Sequence, residues 1–241
     1  MLIDKNLTFE DFIKSVNANT TNKKVVFGDI DYDVEEIGKT YYDKLSVYEN
    51  GMLRCPKNRL SYNVEWYDDC PKKLVFVLFN PSIANSVCLD ETLKNCVKIA
   101  YALNSKIQNK SELYGGMKIF NTFTVRHPIV EEAIKILGSN YDYEFKNNAV
   151  FSLEKSLNRN DTIILAWGND VKKYLPVDYF EKLKTVLNNF QNNGGSLFAY
   201  KCNISGAKQP SHPSPRCIKF VKEFCANPVL LELNNNFENS L

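Results

Sequence analysis

Histidine is scarce in this chain: among 241 residues only His127 and His212 are found. Cysteine is not scarce, but its spacing is uninformative for metal. Cys55, Cys70, Cys88, Cys96, Cys202, Cys217 and Cys225 contain no Cys-x-x-Cys pair, and the first four stand 15, 18 and 8 positions apart. Without short chelating loops or nearby His, neither a zinc nor an iron–sulfur site is expected. The odd count, with no apolar signal core after Met1, also argues against a disulfide framework and leaves free, mostly buried thiols. No apolar run approaches the roughly 18 residues that cross a bilayer, so the expectation is a cytoplasmic protein with no membrane partner. A net charge of +2 gives no broad field of one sign, so any binding to nucleic acid must come from local clusters.

What is present is ordinary globular material, 44% hydrophobic and 24% charged, in a length that suits one well-cored domain or one domain with an appendage. Residues 1–58 have a weak helical pattern, the apolar stretch Val25-Val26-Phe27-Gly28, an acidic segment and a Tyr-rich segment without clean periodicity. They read as an N-terminal extension, with residues 59–241 as the main domain. Arg59 to Trp66 alternates apolar and polar residues, which predicts an edge or antiparallel strand. Leu74-Val75-Phe76-Val77-Leu78-Phe79 is continuously apolar and runs into Asn80-Pro81-Ser82, the pattern of a parallel strand buried on both faces.

The alternation continues downstream. Leu93, Cys96, Val97, Ala100 and Leu103 mark a helix opening at Asp90. Met117 to Val125 predicts a second strand, residues 142–157 a helix, and Thr162 to Gly168 a third strand. Asp178 to Phe190 is an amphipathic helix stopped by Asn192-Asn193-Gly194-Gly195. Ser196 to Tyr200 predicts a fourth strand, and Cys217 to Cys225 a last helix. Strands alternating with helices imply an α/β sandwich around a central, largely parallel sheet. Ligands of such sheets gather outside the carboxyl ends of the strands, where Asn80, Ser82 and Asn121 fall.

Four segments together resemble the uracil-DNA glycosylase superfamily. Phe79-Asn80-Pro81-Ser82 is similar to its water-holding first motif, nearest the mismatch-specific branch with Asn-Pro-Gly and further from the uracil-specific Asp-Pro-Tyr. Ile119 to Val125 resembles the strand whose Asn reads the flipped base, and Leu165-Ala166-Trp167-Gly168 the Leu-Trp-Gly strand. His212-Pro213-Ser214-Pro215 matches the His-Pro-Ser-Pro loop that touches base and minor groove. With Asp90-x-Thr92 and the Trp167-Gly168 strand end, the pattern is also similar to a widespread bacterial and phage family long described as a domain of unknown function. The resemblance spans residues 74–216. It implies a three-layer glycosylase fold, a DNA partner, no cofactor and hydrolysis of an N-glycosidic bond.

The residue chemistry suits that reaction, which passes through an oxocarbenium-like sugar and an anionic leaving base. His212 would donate to the pyrimidine O2 as charge develops there; a loop His satisfied by backbone contacts is its plainer reading. His127 is structural or a phosphate contact. Asn121 has both donor and acceptor to read a pyrimidine edge, or it caps a strand end. Asn80 can orient a water but cannot take its proton. Asp90 has two readings, a base or cation stabiliser, or a helix N-cap. Phe79, Pro81, Ser82 and Ser214 complete the implied base pocket. Ser82 stands where the uracil-specific branch has a Tyr against the pyrimidine C5, so the pocket is expected to admit a C5-substituted base. That base would be a mismatched pyrimidine in repair or a hypermodified phage cytosine in defence. Arg126, Lys201, Lys208, Arg216 and Lys219 are the candidate phosphate contacts. Arg216 stands where the superfamily often has a wedging Leu, and it would fill that space or bind a phosphate. A hydrolase of free nucleosides or nucleotides and a non-catalytic DNA-binding module are the alternatives.

Overall fold

In the computed structural model, the described residues are 34–37, 40–43, 48–49, 52–53, 59–66, 70–81, 90–123, 125, 129–135, 153–154, 157–169, 171–201 and 210–233. The strands are β1 (Val34–Ile37), β2 (Thr40–Asp43), β3 (Tyr48–Glu49), β4 (Met52–Leu53), β5 (Arg59–Glu65), β6 (Lys73–Leu78), β7 (Gly116–Asn121), β8 (Thr162–Ala166), β9 (Ser196–Ala199) and β10 (Leu231–Glu232). The helices are α1 (Glu91–Asn104), α2 (Val171–Tyr174), α3 (Val177–Asn192) and α4 (Ile218–Ala226), with short 3-10 turns at Lys110–Glu112 and Pro215–Cys217. Eight strands form one sheet in the order β1-β2-β5-β7-β6-β8-β9-β10, and β3 and β4 pair separately. Its centre is parallel: β7, β6, β8 and β9 run the same way. Antiparallel strands flank it, β5 beside β7 and β10 beside β9. The fold is therefore mixed α/β with a mostly parallel central sheet.

The continuous apolar runs become the central strands because helices cover both sheet faces. Leu74, Val75, Phe76 and Val77 of β6 are each 0% exposed. On one face Val75, Val77, Phe120, Ile163, Leu165 and Leu197 pack with Leu183, Leu187 and Phe190 of α3. On the other, Leu74, Phe76, Leu78, Ile119, Ile164 and Ala166 pack with Leu93, Cys96 and Val97 of α1 and with Val221 and Phe224 of α4. Each such side chain contributes up to about 1.5–3 kcal/mol by leaving water. Gly194, at φ +87°, lets the chain leave α3 where the Asn-Asn-Gly-Gly sequence predicts.

Several elements differ from the sequence expectation. β7 ends at Asn121, short of Val125, because Thr122 N–H turns back to donate to the carbonyls of Leu78 and Phe79. β5 is antiparallel, as its alternation indicates, yet it is not an edge: β2 covers its outer side. β1 and β2, from the segment read as an N-terminal extension, continue the central sheet through that contact. Most of the helix expected at 142–157 lies outside the described residues, as do the apolar stretch at 25–28, Cys55, Cys88 and Cys202. Cys70, Cys96, Cys217 and Cys225 are free thiols, the first two buried. Among the described residues no helix is long and apolar enough to cross a membrane.

Candidate active site at the carboxyl ends of the strands

Register decides which face each strand-end residue occupies. Leu78 pairs with Asn121 on one side and with Ala166 on the other. Asn121 thus shares the face on which Leu78 and Ala166 meet α1 and α4, and it is 6% exposed. Phe79, one residue beyond Leu78, falls on the opposite face. Its ring is buried in the α3-side core, edge-on to Phe123 with centroids 5.4 Å apart and tilted over Tyr174. The structure therefore does not bring the Phe79 ring to the face of Asn121. Asn80 is half-buried just beyond β6, and Pro81 after it is buried.

This corner is fixed mainly through backbone. Thr122 N–H donates to Leu78 O at 2.8 Å and Phe79 O at 2.9 Å, and Thr122 Oγ1 donates to Phe79 O at 2.7 Å. The Tyr179 hydroxyl of α3 donates to Thr122 O from below. The ends of β6 and β7 are thereby tied to each other and to a helix.

The segment Pro210–Ser214 arrives at the same end of the sheet. Gly168 N–H donates to Pro210 O at 2.9 Å, and Ser211 N–H donates to Lys201 O at 2.8 Å, so the segment is held to the exits of β8 and β9. A third anchor comes from α1: Asn95 Nδ2 donates to Pro213 O at 2.9 Å. Gly168 has φ +80°, and a Cβ there would stand 3.1 Å from the His212 Cβ. Glycine is therefore required both by backbone conformation and by the close approach of the His loop.

Asp90 caps α1, its Oδ1 accepting from Leu93 N–H at 2.8 Å, which realises the plainer of its two readings. Burial pushes the His212 imidazole down to about 4, and the negative charge of Asp90 acts weakly in the opposite direction. His212 is thus a neutral imidazole near pH 7, close enough to Asp90 to feel its field. Burial raises the Cys96 thiol and Asp90 raises it further, so Cys96 is an inert thiol and no nucleophile.

Asn80, Asn121, Asp90 and His212 thus come from two strand ends, a helix cap and a loop at one end of the sheet. Ser214 is half-buried at the start of the 3-10 turn. Arg216 and Lys219 are exposed beside it, whereas Lys201 is paired with Glu223 at 3.3 Å. Ser82, Arg126, His127 and Lys208 lie outside the described residues. Sequence reasoning missed Asn95. Its signal was weak, an amide on a helix next to the apolar stripe of Leu93, Cys96 and Val97.

A family model described as "Protein of unknown function (DUF1643)" matches residues 59–214, from β5 to the His loop. No curated protein and no solved structure matches the chain.

Proposed function

The chain belongs to the DUF1643 family, and from that premise we propose that it is a DNA glycosylase with a three-layer fold of the uracil-DNA glycosylase kind. It would hydrolyse the N-glycosidic bond of a mismatched or C5-substituted pyrimidine and leave an abasic site. The observation that carries this reading is a neutral, partly buried His212 at the same end of the sheet as Asn121 and Asp90. A neutral imidazole keeps one N–H to donate to the base oxygen, and that hydrogen bond strengthens as negative charge builds there when the base leaves. Asn121 would read the base edge, Asn80 would orient the water, and Asp90 would stabilise the cationic sugar or take the water's proton. Arg216 and Lys219, exposed next to the loop, would meet phosphates, with Lys208 and Arg126 as further contacts. No cofactor is needed for this chemistry, and the enzyme would act in the cytoplasm, in anti-phage defence or base-excision repair.

The test is a panel of single- and double-stranded oligonucleotides carrying uracil, G·T mismatches, hydroxymethylcytosine or glucosylated hydroxymethylcytosine. Alkali then converts abasic sites into strand breaks. The expected result is breaks at one C5-substituted or mismatched base, reduced about 10²–10³-fold by His212→Ala. Rapid cleavage of uracil alone would remove the C5 assignment. Binding without breaks would replace the proposal by a DNA-binding module, and hydrolysis of free nucleosides alone by a monomer hydrolase.

A further inference from the structure

We infer that Asn95 is a positioning residue for His212: its buried amide locks the Pro210–Ser214 segment onto α1 and so fixes the imidazole relative to Asp90, the cap of the same helix. Asn95 is 1% exposed, within a helix whose other buried positions include Leu93, Cys96, Val97, Ile99 and Ala100. An amide in such a place is costly unless it is hydrogen-bonded, and Asn is a poorer helix former than Leu or Ala. Packing alone would therefore favour an apolar residue there.

Its bonds define a role. Nδ2 donates to Pro213 O at 2.9 Å, one residue beyond His212, and Lys98 Nζ donates to Oδ1 at 3.4 Å. With the oxygen turned to Lys98, the amide must offer its NH₂ to the loop carbonyl. Two backbone-to-backbone bonds, Gly168 N–H to Pro210 O and Ser211 N–H to Lys201 O, tie the loop to the sheet. Asn95 supplies a side-chain anchor that ties the loop to α1, five residues from Asp90. This bond sets the loop against the helix that carries Asp90, and through it the position of His212 relative to Asp90. A displacement of about 1 Å at a reacting group is enough to lose about 100-fold in rate.

The part of this inference that concerns rate rests on the glycosylase proposal; the part that concerns geometry does not, and one variant reads both. Asn95→Leu keeps the branched shape, with bulkier methyl groups, and deletes the donor. With only two histidines in the chain, the His212 ring signals in an NMR titration are assigned by comparison with His127→Gln. The expected result is that His212 of the folded Asn95→Leu protein titrates closer to pH 6.5 than in the parent, as a loosened loop admits water. Any glycosylase kcat should fall at least 10-fold, with KM changed less than twofold. A folded Asn95→Leu protein whose His212 titrates as in the parent overturns the inference. If the variant does not fold, hydrogen exchange of the Asn95 side-chain amide in the parent decides. Slow exchange supports the anchor, and exchange at the rate of a free amide overturns it. A moved His212 titration in a protein with no glycosylase activity would retain the anchor and discard the glycosylase.

Discussion

At the amino ends of the parallel strands, Asp161 is 4% exposed and gives both oxygens to the chain, Oδ1 to Lys73 N–H at 3.2 Å and Oδ2 to Lys118 Nζ at 3.0 Å. Beside it Asn104 closes a two-bond ring with Tyr114, and the Tyr114 and Thr162 hydroxyls lie 3.2 Å apart. At the carboxyl ends, the segment around His212 is anchored through the carbonyls of Pro210 and Pro213 and the N–H of Ser211. Both ends bury polar residues. At one end side-chain bonds hold the fold together; at the other, two backbone bonds and the Asn95 amide hold the loop that carries the imidazole. Polar residues at the first end should therefore matter for stability, and at the second for chemistry.

That contrast can be broken most sharply at Asp161. Asp161→Ala leaves Lys118, 25% exposed in its side chain, without its carboxylate and should cost about 3 kcal/mol of unfolding free energy. Activity per folded molecule should be unchanged; a matching loss of activity would erase the distinction between the ends. Denaturant unfolding and the oligonucleotide assay read the two quantities.

The next effect is a pH dependence. His212 is held at about 4, below its ordinary 6.5, so the unfolded chain binds more protons between those values. Its contribution to stability is complete above pH 6.5 and is lost as the pH falls to about 4. The loss should be on the order of 2 kcal/mol, allowing for the partly exposed surface of the residue. His212→Gln should remove this part of the slope, and an unchanged slope would contradict the buried neutral imidazole.

Gly168→Ala is smaller, about 1–2 kcal/mol, from forcing an L-residue to φ +80° against the His212 Cβ. Unlike Asp161→Ala, it should lower activity as well as melting temperature, because the loop must move. Smallest is Tyr200→Phe. The Tyr200 hydroxyl is buried without a hydrogen-bond partner among the described residues, and its removal should leave stability within about 0.5 kcal/mol or raise it slightly by thermal melting.

The central strands were legible from sequence because a strand buried on both faces needs no alternation, and Leu74–Phe79 and Thr162–Trp167 show none. α3 was legible to within two residues at each end because its apolar stripe and its Gly stop agree. The outer strands were not. Thr40-Tyr41-Tyr42-Asp43 is a strand because β5 pairs with it, and Leu231-Glu232 because Ala199 and Phe198 do; neither carries a pattern of its own. Asp90 was legible as a helix start from Thr92 and Leu93 beyond it. Its nearness to His212 was not, since that depends on a loop more than a hundred residues later. Asn95 failed for the same reason: a lone amide means nothing until Pro213 lies over it.

The position of β5 has a consequence for how the chain assembles. β5 precedes β6 in sequence but pairs with β7, so it cannot dock until β6, α1 and β7 have been made and brought together. Closing so long a loop is entropically slow, and β2 and β1 can join the central sheet only through β5. Folding should therefore run outward from the parallel centre, with the strands nearest the amino terminus the last to find their places. Until then β7 would present an open edge, the surface on which a newly made chain is most exposed to pairing with its neighbours.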